Sequence, residues 1–316
     1  MLFSVVVPTY NVAEYIEKTI ESIIRAQDMY SKYDVELLVI DDESTDETVS
    51  IVNRYQDKYD WIRVLRQLHK GLGAARNFGV SQVSGEYVLF VDGDDSVSQD
   101  IFLSLSKVIH EKSVDLVVFK WRSFGGYNND VNDYGEFTVQ GAWIACWNKC
   151  YRRDLITDEK FPEDVVYEDT GFFISAWYRS KSKAFVDETL YFYRHRNDGL
   201  SKRPQKFDIR LNCLVGFKEA LIVSDYATAV KTIVVETIIK HINRSIHSGQ
   251  MLNKHHKNEI KDFFEEHDLY DALVFKNNNL FFRKWLHWTL ASRSINALIG
   301  FVRCKVWFEK VIKIKN

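Results

Sequence analysis

Four cysteines in 316 residues, Cys146, Cys150, Cys213 and Cys304, include no C-x-x-C pair. The spacing of Cys146 and Cys150 suits reduced core thiols better than a zinc site, which points to a reducing, cytoplasmic compartment. An excess of one charge is also lacking: 42 Lys and Arg face 44 Asp and Glu, for a formal charge of −2. No overall field therefore names nucleic acid as a partner, and only local clusters of charge carry information. The chain opens on "MLFSVVVPTYN" without a basic leader, a long apolar segment or a small-residue cleavage site, so export is not expected. Its longest largely apolar stretch near the C-terminus, Ile295 to Val302, falls far short of the about 20 residues that a membrane-spanning helix needs. Repeats and low-complexity tracts are absent too. With 46% hydrophobic and 14% aromatic residues, disorder is excluded, and one sizeable core with a smaller appended unit is expected.

What is present is an alternation of short apolar runs and amphipathic segments, the signature of a βαβα chain with a parallel sheet. "FSVVVP", "VELLVI", "WIRVL", "EYVLFV", "DLVVF" and the late "LYFYRHR" read as strands. Between them Ile16, Ile20, Ile23 and Ile24 share one helical face, Ile51, Val52, Tyr55 and Tyr59 another, and Phe102, Leu105, Val108 and Ile109 a third. Asn11 with Glu14, and Ser44 with Glu47, have capping-box spacing before the first two helices. "GLGAARNFGV" carries small residues at helical spacing and suits a helix lying close to the sheet or to a ligand. A Gly/Asn/Asp-rich stretch from Trp121 to Gly141 breaks the rhythm, and a helix opens near Asp169. After about Arg203 strand signals vanish. The expected fold class is α/β, Rossmann-like, a mostly parallel central sheet flanked by helices over residues 1–203, with a C-terminal α-helical extension over 204–316.

Ligands of an open parallel sheet bind beyond the carboxyl ends of its strands. Two acidic clusters sit there: Asp41 and Asp42 after "LLVI", and Asp92, Asp94 and Asp95 after "VLFV". Crowded carboxylates in a poorly solvated cleft repel one another, and a hard divalent cation with oxygen ligands relieves the repulsion. The D-x-D spacing of Asp92 and Asp94 can bring two oxygens to one Mg²⁺ or Mn²⁺ that keeps open positions for phosphate oxygens, which points to a diphosphate-bearing substrate. An EF-hand is excluded by Val97 and Leu103, which stand where its glycine and final glutamate belong. A dinucleotide fold is excluded because no G-x-G-x-x-G follows the first strand and "GLGAAR" puts Arg76 at the third glycine; a P-loop is absent.

The ordered set "SVVVPTYN", "VIDDESTDET", "GLGAARNFG", "FVDGDDS", "WNKCYRRD" and "YEDTGF", spread over about the first 200 residues, resembles the family 2 glycosyltransferases with the GT-A fold. The resemblance implies a nucleotide diphosphate sugar, commonly a UDP-sugar, between the first and fourth strands. Pro8, Tyr10 and Glu14 would then line the nucleotide side, Asp42 would recognise the uracil edge with Asp41 in support, and Arg76 and Lys70 would help hold the donor. Asp94 would be the principal metal ligand, Asp92 would serve ribose and metal, and Asp95 would support both. Asp169 falls where the family keeps its general base, and a place near a helix N-terminus is expected to hold it ionised. Ordinary helix capping is its structural alternative. Trp147, Asn148 and Lys149, with Glu168 beside the base, resemble acceptor-side segments, and Arg194, His195 and Arg196 would clamp phosphate oxygens, His195 having the alternative of a satisfied strand-end histidine. The family's processive members carry Q-x-x-R-W in this region; this chain does not, so addition of one sugar at a time is implied.

The implied reaction is an inverting, Mn²⁺- or Mg²⁺-dependent transfer from a UDP-sugar to a hydroxyl of a glycan or lipid-linked acceptor, in a bacterial surface polysaccharide such as capsule or lipopolysaccharide. A nucleotidyltransferase would use similar carboxylates but needs a Gly-rich basic loop near the first strand, which "PTYNVAEY" lacks. A non-catalytic sugar-binding or membrane-scaffolding protein would retain the fold without the chemistry. From Phe281 to Asn316, eight Lys and Arg oppose one Glu, a net of +7, interleaved with Phe281, Phe282, Trp285, Trp288, Phe301, Trp307 and Phe308. Such a segment suits either a helix in an anionic membrane interface or one packed on the catalytic domain with a solvated basic face.

Overall fold

Apolar runs without polar interruption become strands covered on both faces. In the computed structural model, β1 (Phe3–Thr9), β2 (Val35–Asp41) and β4 (Tyr87–Phe90) are buried along their whole lengths, whereas β3 (Ile62–Arg66), at the sheet edge, is only partly so. The structure describes residues 2–30, 34–125, 133–139, 141–142, 144–163, 165, 168–196, 207–270, 289–290 and 292–314. The chain divides into two compact units, Met1–Arg203 and Pro204–Asn316.

In the first unit the sheet order begins β3-β2-β1-β4, all parallel, so the chain winds outward from β1 and then returns to its other side. That reversal opens a crevice at the carboxyl ends of β1 and β4. The two acidic clusters thus flank β1 from either side: Asp41 ends β2 opposite Thr9, and Asp92 follows β4. The sheet continues through β8 (Lys149–Arg152), β6 (Leu116–Phe124), β9 (Lys183–Arg194) and β5 (Ser96–Val97), with β7 (Asp133–Tyr134) paired to β6. β8 runs antiparallel to β4 and β6, and β6 runs parallel to β9, so the nine-stranded sheet is mixed in its second half. β6 extends past the expected "DLVVF" through Trp121 to Phe124, and β9 begins seven residues before "LYFYRHR". The β6 extension alternates buried and half-exposed residues, and the β9 extension does so only to Val186 before exposing Asp187 and Glu188, both weaker signals than a continuous apolar run.

Helices α1 (Ile16–Tyr30), α2 (Thr48–Gln56), α3 (Gly71–Gln82) and α4 (Ile101–Lys112) lie between the strands, with Ile16, Ile20, Ile23 and Ile24 of α1 buried as the periodicity requires. The two expected capping boxes do not form. Asn11 adopts a left-handed φ of 52° and turns away from α1. Its Oδ1 accepts from the Thr45 N–H at 2.8 Å, while its own N–H donates to Ser44 Oγ at 3.0 Å. Glu47 is the N-cap of α2 without a capping side chain, and Asp46 Oδ1 instead accepts from the Thr48 N–H at 3.0 Å. These polar groups lock the β1–α1 and β2–α2 loops to each other, so a helix-by-helix reading misplaces them. In α3 the small residues do bring the helix onto the sheet: a Cβ on Gly79 would lie 2.4 Å from Val6 Cγ1. Short α5 (Arg153–Ile156) and α6 (Glu168–Arg179) complete this unit.

The second unit is helical throughout its described residues: α7 (Phe207–Leu211), α8 (Leu214–Val223), α9 (Thr228–His247), α10 (Lys254–Glu266) and α11 (Ile295–Ile314). α10 opens on a true capping box, Asn253 Oδ1 accepting from His256 N–H at 2.9 Å. α11 packs against α9 and α10 and buries Leu298, Ile299, Phe301 and Val302, while Arg303 is exposed. Phe301 therefore belongs to a packed apolar face. Phe281, Phe282, Trp285 and Trp288, with the side chains of Trp307 and Phe308, lie outside the described residues. Among the described residues no helix is long and apolar enough to cross a membrane.

Candidate active site

The nucleotide side of the crevice is built from the ends of β1 and β2. Pro8 is buried within β1, Tyr10 is 44% exposed just beyond it, and Glu14 and Lys70 are exposed at the rim. The Tyr10 ring lies 4.3 Å from that of His69, a partner which no motif had marked. Asp42 is buried, and its carboxylate is already well supplied with donors. Gln67 Nε2 donates to it at 2.7 Å, the Lys70 and Gly71 amides at 2.9 Å each, and His69 Nδ1 lies 2.8 Å away. The carboxylate expected to read a uracil edge thus shapes the loop that leads into α3. Asp41, fully buried, accepts from the Ser44 amide and pairs with Arg66 at 3.2 Å.

The three carboxylates after β4 have separate surroundings. Asp95 is buried and closed off: Tyr191 Oη donates to Oδ2 and the Arg194 amide to Oδ1, each at 2.6 Å. Burial, then Asp94 and Asp92, push its pKa well up. Asp92 and Asp94 keep side-chain exposures of 22% and 24%. Burial followed by the Asp92 charge also pushes Asp94 up, against the pull of Arg196. Two half-buried carboxylates side by side, offering oxygen alone, fit a hard divalent cation. Among the described residues no group of three His, Cys, Asp or Glu forms a metal cage, so substrate oxygens would have to complete the shell.

Arg76, 1% exposed, joins this cluster to the start of α6. Its Nη2 pairs with Asp92 Oδ1 at 2.9 Å and its Nη1 with Glu168 Oε1, while the guanidinium rests over the Phe161 ring. Arg76 and Glu168, expected on donor and acceptor, are thus each other's partners in this structure. The next residue, Asp169, is half-buried in the first turn of α6, inside the helix and not at its cap. Burial first, then Glu168 and Asp92, push its pKa up to about 7 against Arg76 and Lys149. The helix terminus does not keep it low, as position alone implies; desolvation outweighs the dipole. A carboxylate titrating near neutrality is a stronger base than an ordinary one.

Trp147, Asn148 and Lys149, expected on the acceptor side, are all buried. Trp147 stacks on Tyr191 with centroids 4.4 Å apart. Asn148 Nδ2 donates to the Phe119 and Ala142 carbonyls. The Lys149 ammonium donates to the Ala142 and Ala145 carbonyls and to Asn148 Oδ1, over the Phe173 ring at 4.1 Å; burial lowers its pKa well below the usual range. Arg194 and Arg196 do reach the acidic cluster: Arg194 Nε donates to the Asp94 carbonyl at 2.8 Å and Arg196 Nη1 to Asp94 Oδ2 at 3.0 Å. His195, by contrast, sets its ring against Tyr193 at 5.4 Å. Residues 197–201, which follow Arg196, lie outside the described residues. Tyr191, His69, Gln67 and Tyr15 were missed because each acts on a motif residue across 25 to 99 positions of sequence or through a ring face.

The model of the family described as Glycosyl transferase family 2 matches residues 4–175. The uncharacterized glycosyltransferase EpsJ of Bacillus subtilis (strain 168) is 31% identical over 229 residues, 65% of this chain and 64% of its own length. The poly(ribitol-phosphate) β-N-acetylglucosaminyltransferase TarS of Staphylococcus aureus (strain MW2) is 30% identical over 210 residues, 63% of this chain and 36% of its own. The chain therefore spans less than two thirds of the length of these relatives. The crystal structure of S. aureus TarS residues 1–349 in complex with UDP-GlcNAc is similar with a TM-score of 0.73 at 24% identity, covering 96% of this chain and 90% of that one. That likeness gives the fold, GT-A.

Proposed function

Because the chain belongs to glycosyl transferase family 2, we propose that it moves one sugar at a time from a UDP-sugar to a hydroxyl of a glycan or lipid-linked acceptor, with inversion, in the synthesis of a bacterial surface polysaccharide. The observation that carries this reading is the Arg76 bridge, which couples Asp92, on the diphosphate side, to Glu168, next to Asp169, whose pKa is pushed up to about 7. TarS, named for transfer of N-acetylglucosamine to poly(ribitol phosphate) and crystallised with UDP-GlcNAc, supports a UDP-sugar donor and a poly(ribitol phosphate)-like acceptor.

Tyr10, exposed beside His69, offers a ring to the base, and Asp42 fixes the loop around it. Asp92 and Asp94 would hold Mn²⁺ or Mg²⁺, which supplies positive charge against the departing diphosphate. The acceptor hydroxyl gives its proton to Asp169 as its oxygen attacks the anomeric carbon from the face opposite the nucleotide; the C–O bond to UDP breaks and the configuration inverts. Arg76, paired with both Glu168 and Asp92, offsets part of the charge that these two carboxylates present to Asp169. The reaction belongs on the cytoplasmic side, and the basic C-terminal segment provides peripheral contact with an anionic membrane.

The test combines binding and turnover. A panel of nucleotide sugars with Mn²⁺ is expected to contain one donor that raises the melting temperature, since a ligand bound only by the folded state stabilises it by about 2.7 kcal/mol at a hundredfold excess over Kd. The wild type should turn that donor over far faster than Asp94→Ala. Equal rates would leave a sugar-binding protein that retains the fold, and release of pyrophosphate from a nucleoside triphosphate would indicate a nucleotidyltransferase.

A further inference from the structure

Asp94 has a cationic partner of its own. Arg196 Nη1 lies 3.0 Å from Asp94 Oδ2, and the two side chains are only 12% and 24% exposed. The Arg196 guanidinium sits 4.4 Å from the Tyr15 ring, whose other neighbour, the Arg194 guanidinium, is 5.3 Å away and itself rests 4.5 Å from the Phe124 ring. Arg194 is further fixed by its bond to the Asp94 carbonyl. Tyr15 thus carries two cations, one tied to backbone and one to the carboxylate that the proposed reaction assigns to the metal.

A divalent ion bound to Asp94 and a guanidinium on the same carboxylate would stand within a few ångströms in a poorly solvated crevice, where like charges repel strongly. The guanidinium has an alternative partner once a donor arrives: its planar fork matches phosphate oxygens as well as carboxylate. Resting on the face of Tyr15, it can change partners without giving up that contact.

We propose that Arg196 is a counter-ion latch, which neutralises Asp94 while the site lacks donor and moves to the diphosphate when cation and donor enter together. Resting on the reading of Asp94 as metal ligand, the latch makes cation and diphosphate binding mutually dependent: each vacates or fills the partner that the other needs, and the coupling is reciprocal. It also keeps the acidic cluster from holding a bare cation in a geometry unsuited to the donor.

Mn²⁺ is titrated into the full chain, with free ion read by electron paramagnetic resonance, with and without saturating UDP. The wild type is expected to bind Mn²⁺ weakly alone and on the order of tenfold or more tightly with UDP. Arg196→Gln should bind it on the order of tenfold more tightly than wild type without UDP and gain less from UDP, with Arg196→Lys in between. Circular dichroism checks that each variant is folded. Unchanged or weaker Mn²⁺ binding by Arg196→Gln in the absence of UDP, or a gain from UDP equal to that of wild type, overturns the latch. Asp94→Asn separates the two levels. If it abolishes Mn²⁺ binding while Arg196→Gln changes nothing, the latch alone fails; if it binds Mn²⁺ as wild type does, the metal site fails with it.

Discussion

Asp169 occupies the first turn of α6, where backbone N–H groups favour negative charge, yet its pKa is pushed up to about 7 by burial and by Glu168 and Asp92. As the proposed general base it would work only when deprotonated, so kcat/KM should fall about tenfold per pH unit below about 7 and level off above it. Asp169→Asn should retain UDP binding and lose about 10²- to 10⁴-fold in transfer, the usual contribution of a positioned base. Stability provides an independent reading. Because the folded pKa lies above the unfolded 3.8, the folded state binds more protons between about 4 and 7, and the contribution of this group is lost as pH rises through that window. Asp169→Asn should therefore melt higher than wild type at pH 8; a lower melting temperature would show that the carboxylate is structural. The motif made the residue legible, but its basicity was not, since desolvation depends on which distant side chains enclose it. Asp42 and Lys149 illustrate the same limit: residue type and spacing single them out, while their donors and acceptors decide what they do.

The central strands and the main helices of the first unit were readable because burial on both faces leaves a continuous apolar run and burial on one face leaves a 3.6-residue period. The capping boxes were not, because the polar groups of neighbouring loops compete for the same helix ends, and Asn11 and Asp46 bond across loops. The short β8 was missed as a strand since "KCYR" carries neither pattern, though it joins the parallel half of the sheet to the mixed half. The close helix–sheet approach in "GLGAARNFGV" was readable from small residues alone. There Gly79→Ala should destabilise by about 1–3 kcal/mol by urea denaturation, because the added methyl meets Val6 Cγ1 at 2.4 Å and Ile40 Cγ1 at 3.3 Å in a core without slack. The helix propensity gained over glycine, about 1 kcal/mol, opposes this, so a stabilised variant would mean that α3 can retreat without cost.

At the level of the whole molecule, charge is distributed unevenly: an overall −2 includes a C-terminal segment, residues 281–316, with a net of +7. In its described part the apolar face is covered, with Phe301 and Val302 buried and Arg303 exposed. For the proposed membrane contact, the eight Lys and Arg of this segment supply an electrostatic attraction that can be tested directly. Lys and Arg held near an anionic surface contribute about 1 kcal/mol each, and this attraction is screened within a Debye length of about 8 Å at physiological salt. The full chain should co-sediment with phosphatidylserine-rich vesicles at low salt, release at high salt, and ignore phosphatidylcholine vesicles. Reversing Lys310, Lys313 and Lys315 to Glu should weaken that binding at least about tenfold while leaving donor turnover in solution intact, because these residues lie outside the unit that holds the crevice. Equal sedimentation of wild type and triple variant, or binding indifferent to salt, would remove the membrane from this protein's partners and leave the basic face as a solvated one.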